Sequence, residues 1–183
     1  MGYDTTFVGG LTFSKKPTAQ FKEYINRFSS TRRMPRDVDK IKELYPNWRE
    51  YCFFGELGKM GEYFAIEEKT SDKSIIDYNG YACSVHPSLW CCWVIKGNKL
   101  VWNGAEKFGN YVEWLEYMIA HFFNPFGYVL NGNIEFQGED DDDRGVILVA
   151  NNIVQVVYRN AMSNINSDDM IKELERRGYK VTA

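Results

Sequence analysis

An α+β domain, built as an antiparallel sheet with helices on one face, is the fold class this sequence predicts, and three observations lead there. Runs of strand period and runs of helical period are interleaved in the order strand, helix, strands, hairpin, helix, strands. Tight-turn residues separate the strand pairs, which makes those pairs antiparallel. No repeat, linker or shift of composition divides the chain, so residues 1–183 read as a single α+β domain. The two strand–helix–strand halves give the layout of ferredoxin-like domains, with a C-terminal helix added.

Thr5 to Phe13 is β-branched and aromatic, with Gly9-Gly10 marking a bulge or a close approach of backbones. Phe21, Tyr24, Ile25 and Phe28 then fall at i, i+3, i+4 and i+7, the stripe of an amphipathic helix over 18–30. Arg32 to Glu43 alternates charges and reads as a solvated connector with a short helix up to Leu44, stopped by Tyr45-Pro46. Tyr51 to Phe54 and Tyr63 to Glu67 read as two short strands around Gly55, Gly58 and Gly61, and Ile75 to Tyr78 as a third before Asn79-Gly80. Leu89 to Ile95 and Lys99 to Trp102 form a hairpin across Lys96-Gly97-Asn98. Asn110 to Phe123 carries Tyr111, Leu115, Met118, Ile119, Phe122 and Phe123 at helical spacing and ends at Asn124-Pro125. Tyr128 to Phe136, Val146 to Ala150 and Ile153 to Tyr158 complete the strands, the last two joined at Asn151-Asn152. Ser167 caps the terminal helix, Asp168 and Asp169 sit in its positive first turn, and Gly178 ends it.

Composition excludes several classes. With 44% apolar and 26% charged residues the chain is neither disordered nor fibrous, and 22 basic against 25 acidic residues leave a net charge of −3, too weak for a whole-body mimic of nucleic acid. The longest apolar run, Leu89 to Ile95, is far shorter than the about 20 residues that a membrane-spanning helix needs. The start, Met-Gly-Tyr-Asp-Thr-Thr, has no basic segment followed by an apolar one, so a cytoplasmic location is expected, with Cys52, Cys83, Cys91 and Cys92 as free thiols. The deviation is aromatic: 12 Phe, 12 Tyr and 5 Trp, 16% of the chain, exceed what one small core absorbs and point to a binding surface.

Three local features carry candidate chemistry. Glu139, Asp140, Asp141, Asp142 and Asp143 are consecutive acids in the loop between two strands; packed carboxylates repel, so the loop is solvated, holds a cation or faces a basic partner. A calcium loop needs a distal bidentate Glu, and Val146 to Gln155 offers none. Neutralising Asp140 to Asp143 is therefore expected to leave stability unchanged or slightly higher. Cys83-x-x-His86 with Cys91-Cys92 and Cys52 has the residue types of a zinc site. Adjacent strand residues point to opposite faces, however, so only one of Cys91 and Cys92 joins a common site, and buried structural thiols are the preferred reading. No metal site and no cofactor is expected. Trp90, Trp93, Trp102 and Trp114 gather around the hairpin and the second long helix. Trp90 shares one strand face with Cys92 and Val94, and Trp93 shares the other with Leu89, Cys91 and Ile95. A helix covers one face, which leaves an aromatic of the other to stack a base or anchor a protein. Gly9-Gly10 lacks the Lys-Ser/Thr continuation of a phosphate loop, and the basic residues from Arg27 to Lys42 are diluted by acids.

Pro87-Ser88-Leu89-Trp90-Cys91-x-Trp93, Trp102-Asn103-Gly104-x-Glu106-Lys107-Phe108, Tyr111-Val112-Glu113-Trp114-Leu115, Gly127-Tyr128-Val129-Leu130-Asn131-Gly132, Gln137-Gly138-Glu139-Asp140 and Asp142-Asp143-x-Gly145 form one joint pattern. Over residues 86–157 this pattern resembles a group of small proteins found in bacteriophage and prophage genomes. The resemblance implies a phage setting and carries no catalytic residues. The expected function is a non-enzymatic binding protein, an inhibitor of a host defence or nucleic-acid-processing system by protein–protein contact. Its partner would be a host protein, and its contact residues Glu139 to Asp143, Trp90 and Trp93. The competing expectation is a small enzyme or nucleotide-binding module using Cys83 and His86, or the acidic loop with a cation.

Overall fold

The computed structural model describes residues 2–66, 73–81 and 85–159, so the expected helix from Ser167, Cys83 and Glu67 lie outside the described residues. The strands are β1 (Thr5–Phe13), β2 (Trp93–Lys96), β3 (Lys99–Trp102), β4 (Leu130–Gly138), β5 (Arg144–Ala150) and β6 (Ile153–Tyr158). The helices are α1 (Ala19–Ser30), α2 (Val38–Leu44) and α3 (Tyr111–Met118), the last continued by a π-helical turn over Ile119–Phe123. All strands pair antiparallel in the order β2-β3-β1-β4-β5-β6. Within it, β3 lies between β1 and β2, and β1 lies between β3 and β4, so β1-α1-β2 and β3-α3-β4 are two interlocked split βαβ units. This is the ferredoxin-like core, extended past β4 by the meander β5-β6.

Register places one apolar face under the helices. Phe7 faces Phe136, Leu11 faces Leu100 and Ile134 faces Ile147 across paired strands, and all six are buried. From α1, Phe21, Tyr24, Ile25 and Phe28 pack onto this face, and from α3 and its π turn Trp114, Leu115, Met118, Ile119 and Phe122 do so. On the opposite face Thr6, Thr12, Asn131, Asn133 and Glu135 are exposed, and Val8 is 71% exposed. The expected period-2 and period-3.6 patterns thus converge on one core.

Side-chain caps open the first two helices. Thr18 Oγ accepts the Phe21 N–H at 3.2 Å at the start of α1, and Asp37 accepts from the N–H groups of Asp39 and Lys40 at the start of α2. The second long helix departs from expectation at its end. The Asn124 N–H reaches back five residues to the Ile119 carbonyl, at 2.9 Å. Adjacent helical residues stand about 100° apart; with the wider turn, both Phe122 and Phe123 are fully buried, Phe122 against Phe28 and Phe54, and Phe123 against Phe13 and Phe21.

Two expectations for the middle of the chain are corrected. The strands expected at Tyr51–Phe54 and in 63–66 do not form. Trp48–Tyr51 is a 3₁₀ turn, and the chain reverses at Gly55, Gly58 and Gly61, whose φ angles of 72°, 76° and 72° are incompatible with an extended ladder. The third, Ile75–Tyr78, is reduced to a single antiparallel bridge from Ile75 to Arg36. The connector after α1 is interior rather than solvated: Thr31, Arg33, Met34, Pro35 and Arg36 are all buried. It is threaded between other segments, with Arg33 N–H bonded to the Leu89 carbonyl (2.8 Å), Arg36 N–H to Met60 (2.9 Å) and Ile76 N–H to Pro35 (2.9 Å). A second small core of Ile41, Cys52, Leu57, Phe64 and Ile66 packs beneath α2.

Candidate functional site

The acidic run forms the tip of the β4–β5 hairpin. The tip is closed by backbone bonds from Gly138 N–H to the Asp143 carbonyl (2.7 Å) and from Asp143 N–H to that of Asp140 (2.9 Å). The first residues of the chain hold it from the side. Tyr3 Oη donates to the Asp143 carboxylate at 2.7 Å and accepts the Asp140 N–H at 3.2 Å, and the Glu139 carboxylate accepts the Asp4 N–H at 2.8 Å. Asp4 in turn accepts the Lys107 N–H at 2.8 Å, which links the tip to the loop before α3. The Tyr3 hydroxyl titrates above its ordinary value: the Asp140 N–H favours the phenolate, but the negative Asp143 carboxylate and the other acid nearby outweigh it. Glu139 to Asp142 are exposed and Asp143 is half-buried. Among the described residues no three His, Cys, Asp or Glu side chains gather as a metal site.

The two tryptophans proposed as contacts separate. Trp93 is fully buried in β2; its indole N–H donates to the Tyr111 carbonyl at 2.9 Å, and its ring packs edge-on to Phe7 and Phe108 at 5.3 and 5.2 Å. It offers nothing to a partner, because its strand face is the one that the helices cover. Trp90 precedes β2 and is 42% exposed. The Arg32 guanidinium lies between two surface rings, 4.8 Å from the Tyr78 centroid and 5.8 Å from that of Trp90, and Arg32 Nε donates to the Tyr78 carbonyl at 3.2 Å. Ile76 (62%), Tyr78 and Tyr81 are also exposed nearby in sequence. The participation of Arg32 and Tyr78 was not visible in the sequence, where they sit in a charged connector and an expected strand; only the aromatic excess signalled such a surface.

The thiol and imidazole groups are interior. His86 is 4% exposed, stacked on Trp114 at 5.6 Å and edge-on to Tyr117 at 5.4 Å. Its pKa falls to about 3, first through burial and then through the positive Arg33, although the nearby carbonyls of Glu62 and Arg33 favour the charged form. Burial pushes Cys91 and Cys52 up to about 12 and Cys92 up to about 11. Cys91 packs on Met118, its thiol 3.4 Å from the Met sulfur, whereas Cys52 belongs to the second core. Protonated thiols and so weakly basic an imidazole lack the properties of a nucleophile and its base. His121 is engaged with the Tyr63 hydroxyl at 3.0 Å and stacked on Tyr117 at 4.2 Å.

Grooves lie elsewhere on the surface: one along α1 lined by Gln20, Glu23, Arg27 and Glu50, another on the open sheet face lined by Thr6, Val8, Glu135, Arg144 and Arg159. No helix of the described residues is long and apolar enough to cross a membrane. Comparison with protein-family models, with curated proteins and with solved structures finds no match to this chain.

Proposed function

We propose that this chain is a non-enzymatic binding protein that docks a host protein through the exposed Tyr78–Arg32–Trp90 stack, with the acidic tip Glu139–Asp143 steering the approach of a basic surface. The observation that carries the reading is the composition and setting of the stack. Trp, Tyr and Arg are the residues over-represented at the energetic centres of protein interfaces, and here the three are held together at the surface. The resemblance to phage and prophage proteins gives the partner its class, a component of a host defence or nucleic-acid-processing system that binding inhibits. The acidic tip disfavours nucleic acid itself as the partner, since like charges meet there. A catalytic reading through Cys83 and His86 has less support, because the His86 imidazole is neutral and enclosed by aromatic rings.

The test is affinity capture from host-cell lysate with mass spectrometry, using wild type, Trp90→Ala and Tyr78→Ala. The expected result is one stoichiometric protein partner whose capture falls at least tenfold with either substitution. Capture of nucleic acid alone, or full retention of the partner by both variants, overturns the proposal.

A further inference from the structure

Three Asn-Gly pairs occur in the chain, Asn79-Gly80, Asn103-Gly104 and Asn131-Gly132, and the fold holds them in different ways. The pair has a chemistry of its own: glycine puts no side chain in front of its backbone nitrogen, so that nitrogen can close on the carboxamide carbon of the asparagine before it. Exposure does not separate the three, since each asparagine is exposed. Hydrogen bonding does. Asn131 lies in β4, where its Oδ1 accepts the Asn151 N–H at 2.9 Å and Gly132 is in register with Leu11 on one side and Val149 on the other. Asn103 Oδ1 accepts the Ala105 N–H at 2.9 Å, the Asn103 N–H donates to the Cys92 carbonyl at 3.0 Å, and the Ala105 carbonyl accepts the Trp102 indole N–H at 3.1 Å, so the carboxamide and the backbone around Gly104 are both pinned. Asn79 lies outside the strands, and the Asp77 carboxylate accepts its backbone N–H at 2.9 Å. That bond closes a turn over Tyr78 and restrains neither the carboxamide nor the Gly80 nitrogen.

We infer that Asn79-Gly80 is a self-modification site, where the asparagine is converted to aspartate and isoaspartate without an enzyme. Solvent base takes the proton of the Gly80 N–H, and that nitrogen bonds to Asn79 Cγ. The Cγ–Nδ2 bond then breaks, Nδ2 leaves as ammonia with a proton returned from solvent, and a cyclic imide remains. Water adds to either ring carbonyl and breaks one ring C–N bond, which leaves a carboxylate and a backbone that is either the ordinary one or routed through the β-carbon. Nothing is oxidised or reduced. Ring closure needs Asn79 to rotate until the Gly80 nitrogen faces Cγ; a turn accommodates that rotation, whereas a strand paired on both sides must first open locally. The new negative charge directly follows Tyr78, the residue whose carbonyl accepts Arg32 Nε–H at 3.2 Å. It therefore enters the surface proposed above to dock a partner, a consequence that rests on the docking reading, whereas the chemistry does not.

The experiment ages the full folded chain in mildly alkaline buffer made with water enriched in heavy oxygen, then digests it with trypsin in ordinary water for mass spectrometry. Cleavage after Lys73, Lys96, Lys99, Lys107 and Arg144 puts the three pairs on separate peptides, 74–96, 100–107 and 108–144. The expected result is that heavy oxygen enters peptide 74–96 first, at Asn79, as a mixture of aspartyl and isoaspartyl forms. Asn131 reacts only from an opened strand and should be slower by about tenfold or more. When the chain is aged in urea strong enough to unfold it, the three rates should converge, because the dipeptide is then the same in each. Asn79→Gln, a change at an exposed turn residue, should suppress labelling of peptide 74–96 and leave that of peptide 100–107 as it was. Equal labelling of the three pairs in the folded chain, labelling of Asn103 or Asn131 ahead of Asn79, labelling of none, or an order that persists unchanged in urea overturns the inference.

Discussion

The Tyr3–Asp143 contact tests whether the acidic tip is a built feature or a run of solvated charge. Tyr3→Phe removes one oxygen, Asp143→Ala removes the carboxylate, and the double variant closes a cycle. The O–H···O⁻ bond is 2.7 Å long, with Tyr3 43% exposed and Asp143 half-buried. Hydrogen bonds to charged groups contribute about 1.5–3 kcal/mol when shielded, and solvent screening at exposed Tyr3 leaves this one well below that range. Tyr3→Phe also forfeits the bond accepted from Asp140 N–H, so it should be the more destabilising of the two single substitutions. Asp143→Ala loses the same contact but relieves repulsion from its acidic neighbours, for a net cost of about 0.5–1 kcal/mol. Urea unfolding of the four proteins should give a small, non-zero coupling, at or below the low end of what residues in contact show. A coupling indistinguishable from zero, with both single variants as stable as wild type, refutes the reasoning and returns the tip to a solvated turn. With the expected coupling, the expectation from sequence that neutralising the acids is harmless holds for exposed Asp141 and not for Asp143.

Other expected outcomes follow from the core and the backbone. Phe122→Ala, which empties a fully buried site between Tyr24, Phe28, Phe54 and Tyr117, should cost about 3–5 kcal/mol in urea unfolding and lower Tm by about 10 °C, whereas Phe122→Leu should keep most of that stability. Because the His86 pKa is depressed to about 3, folding is undisturbed by His86 above the unfolded value near 6.5, and stability should fall by about 1.4 kcal/mol per pH unit as pH drops below it. This slope, measured between pH 6 and pH 5, should flatten in His86→Gln. Gly9→Ala should destabilise by about 2 kcal/mol or more, because Gly9 has φ 104° and a Cβ there would stand 2.9 Å from the Asn133 carbonyl oxygen on the paired strand.

What was legible in the sequence is what short-range chemistry decides. Helix α1 follows from Thr18 and the Phe21, Tyr24, Ile25, Phe28 stripe. The β5–β6 turn follows from Asn151-Asn152, which adopt φ angles of 50° and 67° that Asn tolerates better than most residues. The π turn after α3 was not legible, since the helical spacing already places both Phe122 and Phe123 on the buried stripe and nothing in it calls for a wider turn. Residues 51–66 misled because Phe53, Phe54, Tyr63 and Phe64 carry the composition of strands while Gly55, Gly58 and Gly61 turn the chain between them. In the candidate site the acidic run was plain, but its anchor, Tyr3, lies 140 positions from Asp143. Strand parity divided Trp90 from Trp93; which of the two faces solvent depends on helices placed by tertiary packing, and the helices bury Trp93.

The buried connector after α1 explains how the three side chains of the surface stack come together. A run such as Arg32-Arg33-Met34-Pro35-Arg36 alternates charge with apolar bulk, and its backbone donors and acceptors need partners once it is interior. They find them in three segments, through Leu89, Met60 and Ile76. Those bonds bring residues on either side of Arg32 into register: Trp90 follows Leu89, and Tyr78 follows Ile76 by two positions. A stack whose three side chains come from segments tied to one another loses less conformational entropy on binding than side chains on independent loops, so more of its contact energy appears as affinity. Steering by the acidic tip acts on the encounter rate, whereas a pre-ordered Tyr–Arg–Trp stack acts on dissociation. Neutralising Asp141 should therefore slow partner association with little change in residence time, and Trp90→Ala should shorten residence with little change in association. Surface-resonance kinetics in which both substitutions alter only association would mean that the stack lies outside the interface.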